Sequence, residues 1–121
     1  MFPSTITITI DTGKDIVLNR VNQDNFGSEY QFAGSTESAV LKIRHSLESP
    51  QADGRRFKRH NVFFEHTVYP TLTDLAKINS YTLTMRNLEM SDPQVVSKIA
   101  AGVEAWVATG TNRLQVAQGV N

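Results

Sequence analysis

The side chains best suited to chemistry in this chain are two groups of cations and three histidines. Four of the twelve Lys and Arg residues, Arg55, Arg56, Lys58 and Arg59, fall within five positions, and Lys42 and Arg44 stand two apart in the segment before them. Cations so grouped can neutralise phosphates, and nearby Asn or Thr side chains can bond base edges or sugar hydroxyls. A solvated loop leading into a strand would use the same residues, and over Arg55 to Arg59 the two readings are evenly balanced. His45, His60 and His66 share no metal-ligand spacing with an acidic residue, so they read as structural and no metal is expected. No Gly-rich phosphate loop, nucleophile elbow or zinc-protease helix motif occurs, and the acidic residues are scattered rather than paired. We therefore expect no enzyme and no cofactor. The absence of cysteine excludes disulfides, thiolate metal ligation and cysteine nucleophiles.

At 121 residues the chain has the size of one ordinary domain, and we expect a single domain over 1–121. With twelve cations and twelve anions, the net charge cannot draw the molecule toward a polyanion, so any such site must come from uneven placement. The N-terminus lacks a basic stretch followed by an apolar run, and no apolar run approaches the roughly 20 residues that span a bilayer. A soluble cytoplasmic product without a membrane partner is expected.

The elements that must position these residues show in the periodicity. Thr5 to Ile10 alternates isoleucine with threonine, Asp11 to Asp15 supplies a turn, and Ile16 to Leu18 returns, so a β-hairpin over 1–19 is expected. After a polar stretch from Asn19 to Asn25, strands are expected over Glu29 to Ala33 and Ser38 to Leu47. In the latter, Leu41, Ile43, His45 and Leu47 share one face, and Val40, Lys42, Arg44 and Ser46 the other. Arg59 to Tyr69 is a further strand, in which Val62, Phe64 and Val68 oppose Asn61, Phe63, Glu65 and Thr67. Pro70 to Lys77 is a loop with room for a little extra strand, and Ser80 to Leu88 is the last long strand. There Tyr81, Leu83 and Met85 fall on the core side and Thr82, Thr84 and Arg86 on the open side, although a one-residue slip would turn Tyr81 outward.

At Ser91 the period changes. Ser91-Asp92-Pro93-Gln94 offers an N-cap serine, an early proline and a capping-box glutamine, so a helix is expected to start there. Val95, Val96, Ile99, Val103, Trp106 and Val107 then recur at three- and four-residue spacing, Gly110 suits the stop, and Arg113 to Ala117 forms a short second helix. Trp106 continues the apolar period and reads as a packing anchor. Strands followed by helices predict an α+β fold: a hairpin over 1–19, an antiparallel five- to six-stranded sheet over 28–90, and two helices over 91–121 on one face. A helix pair is too narrow to cover that sheet, so a second copy supplying its own helices is the natural cover, and an obligate homodimer is expected with Val95, Ile99, Val103 and Trp106 as its packing residues.

In this order of elements the chain resembles, over its whole length, the levivirus coat proteins of single-stranded RNA bacteriophages. The likeness rests on the N-terminal hairpin, Leu41-Lys42-Ile43-Arg44-His45-Ser46, the basic start of the next strand, Val68-Tyr69-Pro70-Thr71, the long last strand and the helices after Ser91-Asp92-Pro93. The resemblance implies a structural capsid subunit of the virion, assembled in the bacterial host's cytoplasm. It implies an intertwined homodimer whose two sheets join edge to edge, dimers that close into an icosahedral shell, and an open sheet face turned toward viral single-stranded RNA. It also implies an RNA hairpin bound there as packaging signal and translational operator, with Lys42, Arg44, Arg59, Asn61, Thr82, Thr84 and Arg86 as contacts. The loop Pro70 to Lys77 resembles the one that gathers around the shell's symmetry axes. A different class, a small dimeric α+β enzyme or ligand-binding domain with a pocket between sheet and helices, would need titratable groups lining that pocket, and only the three histidines could supply them.

Overall fold

The period-two segments form six strands, β1 (Thr5–Asp11), β2 (Lys14–Asp24), β3 (Gly27–Ala33), β4 (Glu37–Leu47), β5 (Phe57–Val68) and β6 (Lys77–Leu88), followed by helices α1 (Pro93–Ala108) and α2 (Asn112–Ala117). The structure, a computed structural model, describes residues 1–120. The strands form one antiparallel sheet in the order β1-β2-β3-β4-β5-β6. Every neighbour in space is a neighbour in sequence, which short reversals permit without a crossover.

The first hairpin differs from the expected boundaries. Asn19 to Asn25 is not a connecting stretch, because β2 runs on to Asp24 and pairs with β3 from Asn19↔Gln31 to Asp24↔Gly27. Polar residues are good strand residues where one sheet face is open to water. The ladder shifts register between Arg20 and Asn22, and a bulge there bends the strand. The bend carries the outer half of the hairpin onto the sheet, where Ile16 and Leu18 are buried with Tyr30, Ala39, Leu41 and Ile43. The Tyr30 hydroxyl donates to the Pro3 carbonyl at 2.9 Å, and the Lys14 ammonium meets the Glu37 carboxylate at 2.9 Å. Glu37 also bonds the His66 Nε2 at 2.9 Å, so one carboxylate ties the hairpin tip to β5. Its pKa is held below the usual carboxylate value, first by Lys14 and then by His66.

The helix start lies one residue later than expected. Asp92, not Ser91, is the N-cap: its carboxylate accepts from the Gln94 amide at 2.9 Å, with Pro93 opening the helix. The Ser91 hydroxyl instead donates to the Leu88 carbonyl at 2.7 Å and closes the turn out of β6. The Pro70 to Lys77 connection contains no additional strand; β6 simply begins earlier, at Lys77.

The helices occupy the core side of the sheet but do not blanket it. An apolar groove of about 300 Å³ runs between Tyr81, Leu83 and Met85 of β6 and Val96, Ile99 and Val103 of α1. No residue of either helix is buried, and Ile99 and Trp106 remain 62% and 59% exposed. The expected packing residues Val95, Ile99, Val103 and Trp106 therefore lie outside this subunit's own core, all of them exposed.

Candidate nucleic-acid interface

Residues directly opposite in an antiparallel ladder point to the same face, and neighbours along a strand to opposite faces. Applying this to the observed register builds the hydrophilic face outward from β4. Lys42 stands opposite Glu29 on one side and Phe63 on the other, and Phe63 in turn stands opposite Thr82. Two residues along, Arg44 faces Asn61, which faces Thr84. One step further, Ser46 faces Arg59, which faces Arg86. Lys42, Arg44, Arg59, Asn61, Thr82, Thr84 and Arg86 thus share one face across β4, β5 and β6. Tyr81 does not join them: it pairs with Phe64 and faces the core side, as the parity of β6 requires, and the alternative one-residue slip is not the register found.

Part of this face is already wired. The Asn61 amide donates to the Thr84 hydroxyl at 3.0 Å. Arg44 pairs with Asp24 at 2.8 Å, and Arg86 grips Glu48 through two nitrogens at 2.6 and 3.3 Å. The Arg86 guanidinium also lies 3.6 Å from the centre of the Phe57 ring, so its plane is fixed by a carboxylate and by an aromatic face. The Asp24 carboxyl is held below its ordinary pKa by the Arg44 bond and by the Phe26 amide, and Glu48 by Arg86. Lys42 and Arg59 make no ion pair among the described residues. They are the two cations of this face that no carboxylate engages among the described residues.

The cluster from Arg55 to Arg59 does not act as one patch. Arg55 is bound back to Asp53 at 2.6 Å within its loop. Lys58 and Arg59 are consecutive strand residues and so fall on opposite faces. The three histidines face the core side: His45 and His60 stand opposite each other with Nδ1 atoms 3.0 Å apart, and His66 bonds Glu37. Among the described residues no group of three His, Cys, Asp or Glu side chains is arranged to hold a metal. Asp24 and Glu48, which orient two of the cations, were not singled out by sequence because they lie at or beyond strand ends, 20 and 38 residues from their partners. Alternation alone sets Phe63 on the polar side of β5 with Asn61, and the register puts Phe57 on that same side.

A six-stranded antiparallel meander followed by two helices is also the fold of two solved proteins of similar length. The solved virus-like particle of Beihai levi-like virus 21 superposes with a TM-score of 0.66 at 19% identity, covering 98% of this chain and 95% of that one. The virus-like particle of bacteriophage AVE019 gives 0.66 at 13% identity, covering 100% and 98%. No curated protein matches the sequence. Residues 3–88, the whole sheet, match the family described as "Phage phiCb5, coat protein", and the chain belongs to that family. It is a phage capsid protein, a structural subunit of the virion and not an enzyme. The alternative of a small dimeric enzyme or ligand-binding domain is set aside on that ground.

Proposed function

We propose that this coat protein works as an obligate homodimer that assembles into an icosahedral shell around single-stranded viral RNA, held on the hydrophilic sheet face. The carrying observation is the division of the sheet into two unlike sides. One side gathers Lys42, Arg44, Arg59, Asn61, Thr82, Thr84 and Arg86, of which Arg59, Thr82, Thr84 and Arg86 are exposed. The other leaves an apolar groove and an apolar helix stripe in water. Each large apolar side chain left exposed forgoes about 1.5–3 kcal/mol, and a second copy laying its α1 on that side recovers it for both subunits. The virus-like particles formed by the two structural relatives support closed assembly. On this reading the shell assembles in the cytoplasm of the bacterial host, and a hairpin of viral RNA bound to the same face makes the dimer a translational repressor as well as a packaging element.

Expression followed by electron microscopy and nucleic-acid extraction tests the assembly, with uniform RNA-containing particles as the expected result and a stable monomer at high concentration as the overturning one. For the RNA face, Lys42→Ala, Arg44→Ala and Arg59→Ala are each expected to weaken RNA binding by dimers. Each lost phosphate contact should also lower the salt slope by about one. If all three variants bind as the parent does, the RNA face is elsewhere.

A further inference from the structure

We infer that Phe63 is a base-stacking platform on the RNA face: an aromatic ring that takes the face of one unpaired nucleobase while the cations around it hold the backbone. The inference rests on the RNA reading above and adds to it the residue that recognises bases rather than phosphates.

Phe63 is the aromatic residue in the middle of the hydrophilic side. The register sets it between Lys42 on β4 and Thr82 on β6. Its neighbours two positions along β5 are Asn61 and Glu65, both polar. The core-facing phenylalanine of this strand is the next residue, Phe64, which packs against the buried cluster. Phe63 therefore contributes nothing to that core, and a phenylalanine at this point sacrifices the favourable hydration a polar residue would have there. Its ring is half-buried among its strand neighbours, so it is held in place yet still reaches the surface. The sheet interior supplies the rigidity: β5 is paired along its whole length on both sides.

The ring stands beside one lysine and hydrogen-bonding side chains, with Glu29 opposite that lysine and Glu65 further along β5; an aromatic face next to a cation binds single-stranded nucleic acid with little regard to sequence, because every base has a π-face. Lys42, directly beside the ring and free of any ion pair among the described residues, can reach the phosphate of a base stacked on Phe63. The Thr82 hydroxyl on the other side can bond a base edge or ribose hydroxyl. Tyr81, the other aromatic residue of the neighbouring strand segment, faces the core side and cannot serve. Phe57 differs from Phe63 in that its ring is already covered by the Arg86 guanidinium.

The test uses purified dimers, a short single-stranded oligoadenylate and the same oligonucleotide with one abasic position. Phe63→Leu keeps the apolar bulk and removes the π-face; Phe63→Tyr and Phe63→Trp keep the ring. Phe63→Leu is expected to lose on the order of tenfold in affinity for oligoadenylate, with an unchanged salt slope, and to discriminate less against the abasic strand. Phe63→Tyr should retain parental affinity, and in Phe63→Trp the added indole emission should be quenched on binding. Equal affinity of parent and Phe63→Leu, with Lys42→Ala still defective, overturns the stacking role and leaves the RNA face standing. Loss of no affinity in either variant removes both readings.

Discussion

Glu37 is the single carboxylate on which the N-terminal hairpin's docking turns, since it accepts from Lys14 at the hairpin tip and bonds His66 on β5. Its folded pKa is depressed, first by Lys14 and then by His66. A depressed carboxylate contributes stability that is present above the unfolded value, about 4.3, and is lost as pH falls through the lower folded value. Glu37→Gln is therefore expected to lower the denaturation midpoint at neutral pH, with the gap from the parent closing as both are acidified below the folded value. A gap that persists in acid would show that packing rather than the ion pair is responsible. At this scale the sequence was partly legible. Strand parity placed Lys42, Arg44, Asn61, Thr82, Thr84 and Arg86 on a common side because alternation is a local property of each strand. Which cations are engaged and which are free was illegible, because the partners Asp24 and Glu48 come from distant parts of the chain.

Among the elements, the β3–β4 pairing depends on one close approach. A Cβ built on Gly27 would lie 1.9 Å from the Ile43 carbonyl oxygen, a backbone atom that cannot move without breaking the ladder. Gly27→Ala is expected to cost at least about 2 kcal/mol in chemical denaturation. Gly54→Ala, at φ +83 in the β4–β5 loop with nothing within 4 Å, should cost only about 1 kcal/mol of backbone strain. Equal costs at the two sites would contradict the packing argument. Element types and order were legible because alternation and the change to a 3.6-residue period are strong signals. The boundaries were less so. Polar composition hid the second half of β2, whose residues need not be apolar on an open face. Two adjacent capping residues, Ser91 and Asp92, could each have started α1, and the geometry of the turn from Leu88 decided between them.

For the molecule as a whole, the proposed dimer places the exposed stripe on α1 at its interface. Ile99→Asp or Trp106→Ala is expected to shift purified protein from dimer to monomer or aggregate in sedimentation experiments, while the β-sheet circular dichroism of the soluble fraction is retained. Dimers that persist in both variants would mean that the helices are not the interface. The sequence by itself determined the strand and helix periods, the two-sided character of the sheet and the fold family, because each is written in side-chain type at short range. Only the tertiary structure decided that β2 bends at its bulge to lay Ile16 and Leu18 over the sheet, that Tyr81 turns inward while Phe63 remains on the hydrophilic side, and that α1 leaves its apolar stripe outside the subunit's own core. Those outcomes depend on register and on which distant surfaces meet, and residue periodicity carries no information about either.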